Sequence, residues 1–431
     1  MHDQHQITTL PSGVRIVTEH VPAVRSVALG FWIGTGSAAE SEAEAGLSHL
    51  LEHMLFRGTA RFGSEEIDQI FDAMGAEINA GTGKENTSVF TRVLDRHLER
   101  AFDVMNDMVW RPLFGELEAE REVVLEEIAM YEDDPQDRVF DVLGEAVFGE
   151  HPLGRAVIGR AEVVGDASVA ALSAFHATRY VPANIVIAAA GSIDHDALVE
   201  LAQRTGSERS GGELVPPPVS PSDLSRRVRF LTKDTEQYHV CLGGPGIARD
   251  DERRYALRVL DNILGGTSSS RLFQAVRERR GLAYSVFSFQ SLYADTGQVG
   301  LYVGTRPENL QEAMVIVAEE LQRFVEAPAT EAELVRSREN LKGRIVLSLE
   351  STSARMSRLG NSILSGLPIL SIDEVIERID AVTLDDLREL AVELFTPPTL
   401  SAAGVGSDEA AFRAALEPLA SGEAVASAQE A

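Results

Sequence analysis

Two hydrophobic rhythms run along the chain. Stretches such as VRIVTEH (residues 14–20) and TSVFTRVL (87–94) alternate apolar and polar positions, the period of half-buried strands. Longer stretches, ELEAEREVVLEEIAMYE (116–132) and TEAELVRSRENLKGRIVLSLE (330–350), space their apolar residues three and four apart and predict amphipathic helices. Strands and helices come in runs rather than in strict alternation. That pattern predicts an α+β fold with mainly antiparallel sheets, not a doubly wound one.

The rhythm is written twice. VALGFWIGTGSAAESEAEAGLSHLLEHMLFRGT and HVCLGGPGIARDDERRYALRVLDNILGGT each read as strand, turn and helix, and aligning their ends sets Gly58 and Thr59 beside Gly266 and Thr267. RYVPANIVIAAAGSIDHDALVEL likewise parallels ELFTPPTLSAAGVGSDEAAFRAAL, with Gly191 and Ser192 beside Gly406 and Ser407. Both offsets are near half the chain, the mark of a duplicated domain. Between the copies, Gly, Ser and Pro crowd into RTGSERSGGELVPPPVSPSD, and a proline triplet continues neither a helix nor a central strand. The expected organisation is a first domain over residues 1–208, a linker over 209–223, a homologous second domain over 224–418 and a disordered tail over 419–431.

One short segment of the first copy carries chemistry. In HLLEH, a helix would place His49 and His53 on adjacent turns about 40° apart, with Glu52 on the same side. Two imidazoles so spaced can bind one tetrahedral Zn²⁺, and the glutamate can reach a water beside it, the inverse of the HExxH order. The competing reading is a pair of partly buried histidines satisfied by hydrogen bonds. A third protein ligand is needed, and EAEREVVLEEIAM (118–130) offers Glu120 and Glu127, two turns apart on one face, while Glu126 projects about 100° away from Glu127. Taken alone, that acidic helix reads more readily as a solvated surface. The second copy sets Leu257 opposite His49, Leu260 opposite Glu52 and Asp261 opposite His53, and, less securely, Arg344 opposite Glu127. A packing requirement would have repeated; these residues did not.

Composition narrows the context. A chain of 431 residues exceeds one ordinary core. The formal net charge of −28 argues against nucleic acid; it either simply keeps the surface solvated or also draws in cationic ligands such as basic peptides. No apolar run is long enough to cross a membrane, and the polar segment MHDQHQITTLPSG lacks the core of a secretory signal. The one cysteine, Cys241, fits a reducing compartment, so a cytoplasmic protein is expected.

Five stretches and one organisational feature together resemble the pitrilysin/insulinase (M16-type) family of zinc metallopeptidases, nearest to its bacterial processing-peptidase-like members and the mitochondrial processing peptidase β subunit. They are GLSHLLEHMLFRGT, GAEINAGTGKENTSVF, EREVVLEEIAMYEDDP, HPLGRAVIG, GGTSSSRLFQAVRERRGLAYSV and the duplicated layout. The resemblance implies one Zn²⁺ per chain on His49, His53 and Glu127, Glu52 as general base, and Glu120 as a supporting acid. It implies that Ile78, Asn79 and Ala80 form an edge strand that holds the substrate backbone. It implies too that Arg277 and Tyr284 contact substrate near the scissile bond; from the sequence alone they read as a surface ion-pair partner and a core aromatic. LGGTSSSRLF matches the place of a glycine-rich loop in the processing enzymes' noncatalytic subunit but is shorter. The family fold is a clamshell of two halves, each of two such domains. This chain is then one half, and a homodimer is expected to close it, with Arg277 and Tyr284 completing the partner molecule's site. The activity implied is a zinc endopeptidase cleaving unfolded peptides; the alternatives are a catalytic subunit needing a different, inactive partner, or a noncatalytic assembly subunit.

Overall fold

The computed structural model describes residues 5–205 and 220–421, so most of the expected linker (209–219) and tail (422–431) lie outside the described residues. The chain is α+β and forms two compact units. The first holds a sheet of six strands: β1 (His5–Thr9), β2 (Arg15–His20), β3 (Ser26–Ile33), β4 (Ile78–Thr82), β5 (Thr87–Leu94) and β6 (Ile185–Gly191), in the order β1-β2-β6-β3-β5-β4. The second holds five: β7 (Val228–Thr232), β8 (Tyr238–Gly246), β9 (Ala283–Leu292), β10 (Gly297–Thr305) and β11 (Ser401–Gly406), in the order β7-β11-β8-β10-β9. Setting β1 aside, the two orders are the same. Among the described residues, each sheet has one parallel pair, β2 with β6 and β7 with β11, at the same place, and every other pairing is antiparallel. The strands matched in the sequence repeat, β3 with β8 and β6 with β11, occupy equivalent positions.

The central strands are buried on both faces, and their alternation serves two cores. Val27, Leu29, Phe31 and Ile33 of β3, with Ile185, Ile187 and Ala189 of β6, face the main core of the first unit. Ala28 and Trp32 of β3, with Val17, Val186, Ala188 and Ala190, face a second, smaller cluster. That second face is covered by helix Thr352–Leu364, from the far half of the chain, through Met356 and Leu359. Gly360 on this helix lies against the Trp32 ring, where an added Cβ would come within 2.5 Å of the indole. Arg355 and Arg358 of the same helix pair with Glu19, which is 3 % exposed.

The exchange is reciprocal. Helix Pro135–Phe148, encoded in the first half, belongs to the second unit, where Phe140 stacks on Phe287 and Tyr302. The first unit therefore comprises Met1–Ala129, Arg155–Pro218 and Ile345–Ile372, and the second Met130–Gly154, Val219–Arg344 and Asp373–Ala431. Both exchanges run across the boundaries at 208 and 224 that the linker suggests.

Candidate active site

Helix Leu47–Met54 buries Leu47, Leu50, Leu51 and Met54 in the main core, which turns His49, Glu52 and His53 to its other side. Its start is fixed by two glycines and an acid. Gly46 adopts φ 107°, and Gly159 packs so close that a Cβ there would lie 2.2 Å from the Gly46 Cα. The Glu40 carboxylate accepts the N–H of Gly46 at 2.9 Å and of Ser48 at 2.6 Å, satisfying donors that a helix N-terminus leaves open. Helix Leu117–Asp133 lies beside it, burying Leu117, Glu120, Val124 and Ile128.

These helices bring three donors together. One ligand atom each from His49, His53 and Glu127 lies within 4.8 Å of the others. Glu127 Oε2 stands 3.7 Å from His49 Nε2 and 3.4 Å from His53 Nε2. Those separations are long for hydrogen bonds. They match donors arranged around a shared tetrahedral ion: with bonds of about 2.1 Å, neighbouring ligands stand roughly 3.4 Å apart. The imidazoles suit the task chemically. Burial above all, then the neighbouring His53, pulls the His49 pKa down to about 4, so its ring is neutral and has a lone pair to give. His53 Nδ1 lies 2.7 Å from Glu120 Oε1; with that nitrogen donating, Nε2 is left as the acceptor. Glu120 is 3 % exposed and its other oxygen pairs with Arg57. His49 Nδ1 is buried without a hydrogen-bond partner among the described residues. The donor set therefore fits Zn²⁺, with His53 the more firmly oriented of its two imidazoles.

Glu52 Oε2 accepts the hydroxyl of Thr82, at the end of β4. Burial is the chief influence on its carboxyl and raises its pKa, against the opposing pull of Thr82. Ile78, Asn79 and Ala80 lie on the same strand, which among the described residues pairs only with β5 and forms the sheet's outer edge. Ala80 N–H donates to the Asn79 side chain at 2.8 Å. Arg277 and Tyr284 belong to the second unit, where the guanidinium sits 4.5 Å from the Tyr284 ring centre. Tyr284 is 78 % exposed, not a core aromatic.

Glu40, Arg57 and Thr82 escape the sequence reading. Thr82 was within reach, since alternation along INAGT puts Ile78, Ala80 and Thr82 on one face. Arg57 continues the four-residue step from His49 and His53. Glu40 carries no such signal, because only the turn between β3 and the helix folds it back. At the equivalent place in the second unit, Leu257 and Leu260 are fully buried in helix Arg254–Leu264. Asp261 there accepts the Ser288 hydroxyl at 2.5 Å and feels the charge of Arg344. The second copy thus sets an acid near an arginine where the first gathers metal donors.

Burial also raises the Glu40 carboxyl, to about 7, from an ordinary value near 4.5. The folded chain then holds a proton that the unfolded chain has already released across that interval. Glu40's contribution to stability is greatest at the acid end and declines as pH rises from about 4.5 to 7, by an amount on the order of 3 kcal/mol. Melting curves of wild type and Glu40→Gln across that range should differ by this slope; parallel curves would show that the acid is not perturbed.

Comparisons with known proteins place the chain in a family. Residues 15–161 match the family model described as insulinase (peptidase family M16), and residues 166–341 match the peptidase M16 inactive domain. A protein of Streptomyces coelicolor described as an uncharacterized zinc protease is 43% identical over 417 residues, covering 94% of this chain and 91% of the relative. An uncharacterized zinc protease of Bacillus subtilis is 43% identical over 394 residues, covering 90% and 95%. Among solved structures, a protease from Helicobacter pylori superposes with a TM-score of 0.87 at 22% identity, covering 94% of this chain and 99% of its own. A peptidase M16 inactive domain from Pseudomonas fluorescens gives 0.88 at 23%, covering 94% and 98%. The fold is shared with these structures, and the chain belongs to the M16 (insulinase) peptidase family.

Proposed function

We propose that this chain is a zinc-dependent endopeptidase acting on unfolded peptides. The observation that carries the reading is the convergence of His49, His53 and Glu127 beside a half-buried, hydrogen-bonded Glu52. Its relatives are called zinc proteases, and the donor set suits that ion. When bound, zinc supplies Lewis acidity, making water a better nucleophile and a peptide carbonyl a better electrophile.

The chain's own residues do the rest. His53 is oriented by Glu120, itself anchored by Arg57. Glu52 takes the proton of the attacking water and delivers it to the leaving amine, and burial, by raising its pKa, fits it to hold that proton in between. Thr82 keeps the carboxylate in position. The open edge of β4, at Ile78, Asn79 and Ala80, receives the peptide backbone as an added strand. No acyl-enzyme is required, and Cys241 is fully buried. A single buried thiol also fits a cytoplasmic setting. Among the described residues no helix is long and apolar enough to cross a membrane.

We place Arg277 and Tyr284 as substrate contacts contributed across a homodimer. If Tyr284→Phe cripples turnover, mixing it with Glu52→Gln subunits should restore one good site per dimer, and absence of rescue would assign both roles to one subunit. The direct test of the peptidase reading is mass-spectrometric mapping of cuts in a peptide library. Cuts should vanish with a chelator and return with zinc. Glu127→Ala should lower zinc affinity by 10-fold or more and lose the cuts; cleavage indifferent to chelator would refute the reading.

A further inference from the structure

A cavity of about 330 Å³ opens on the second unit, lined by Gln237, Arg277, Leu282, Tyr284, Arg306 and Asn309 among others. We propose that it is a carboxylate-binding subsite for peptides, taking its ligand class from the peptidase reading above. The volume suits one side chain or a terminal residue rather than a folded partner.

Charge is the first argument. The chain carries a formal net charge of −28, and a number of its arginines are tied closely to acids, as Arg271 is to Glu333 at 2.8 Å and Arg61 to Asp103 at 2.7 Å. The two arginines of the cavity are not. Arg277 has Glu278 only at 3.9 Å, and Arg306 has Glu308 only at 4.0 Å. Arg277 is flanked by two rings, 4.8 Å from the Phe273 centre and 4.5 Å from the Tyr284 centre. Such contacts hold a guanidinium by its face and leave its N–H edge for an acceptor. Thr305 and Asn309 both donate to the Leu282 carbonyl, at 2.6 and 3.3 Å, which braces the wall and leaves recognition of an anion to the guanidinium groups.

The backbone supplies a second, independent argument. Arg277 rides on a π-helical segment, Phe273–Glu278, and the ladder between β10 and β9 shifts register at Gly304/Thr305, next to Arg306. Both irregularities cost regular hydrogen bonding, and both are devices that re-aim side chains at functional places. They flank one cavity from two sides. A carboxylate meeting two guanidinium groups gains charge-assisted, partly bidentate hydrogen bonds, enough for about a tenfold or greater preference over the neutral amide. That preference would run against the field of the whole acidic chain, which repels anions elsewhere.

Either a peptide's C-terminal carboxylate or an Asp or Glu side chain could supply the group, and binding measurements separate them. Full-length Glu52→Gln protein, expected to bind without cutting, is titrated by fluorescence anisotropy with paired labelled peptides. One pair differs in a free against an amidated C-terminus, the other in Glu against Gln at an internal position. At least one acid should bind about tenfold tighter than its neutral twin, and the pair that shows this names the source. Arg306→Gln, an exposed substitution whose folding is checked by thermal melting, should bring that ratio close to one. Equal affinities within both pairs, or a ratio untouched by Arg306→Gln, would overturn the proposal. Because the readout is binding, acid preference without any turnover by wild type would leave the subsite standing and remove the peptidase reading, whereas cleavage without acid preference would do the reverse.

Discussion

Replacing Glu52 with glutamine is expected to abolish peptide cleavage while leaving the bound metal in place. The side chain keeps its length and can still accept from Thr82, so the local packing is preserved. What is lost is the ability to take a proton from water and return it to the leaving amine, a contribution of about 10²–10⁴ in rate for a well-placed acid–base group. Glutamine is not one of the three donors that converge, so zinc content should match wild type. The check is turnover on a cleavable peptide together with elemental analysis of the same preparation. Retained turnover in metal-loaded Glu52→Gln protein would remove the general-base assignment. Joint loss of metal and activity would instead make Glu52 part of the metal's grip.

The second large effect concerns the reciprocal exchange of helices. A fragment of residues 1–218 contains the motif, the acidic helix and all six strands of the first sheet, yet it should not fold as an isolated domain. It lacks helix Thr352–Leu364, and with it the cover over Val17, Trp32, Val186 and the alanines beside them. Leaving just the larger three of those side chains in water forfeits something on the order of 5–8 kcal/mol. That is comparable with the whole margin of about 5–15 kcal/mol by which a domain is stable. Glu19 would also lose both of its arginine partners. Expressed alone, the fragment should aggregate or melt without cooperativity; co-expressed with residues 219–431, it should be recovered in a soluble complex. A monomeric fragment with a sharp thermal transition would contradict the exchange as a folding requirement.

Much of the site was legible because it obeys local periodicity. His49, Glu52 and His53 share a helix face by spacing alone, and Glu120 and Glu127 share another. Periodicity could not divide the labour between the two acids. That depends on where the second helix lies: Glu127 approaches both Nε2 atoms, and Glu120 takes the far nitrogen of His53 and Arg57. The duplication was also legible, since matched strands fall at matched positions in the two sheets. The exchange was not. The run SVALGFWI announces a strand buried on both faces, but nothing local says that its second cover lies more than three hundred residues downstream. Glu40 is hidden for the same reason: its function as a cap exists only once a turn has carried it back to Gly46 and Ser48.

Anomalous diffraction at the zinc edge, on catalytically competent crystals, tests the central claim most directly. One peak per chain is predicted, within about 2.0–2.2 Å of both imidazole Nε2 atoms and of the Glu127 carboxylate. Active protein with no peak between those three side chains would contradict it.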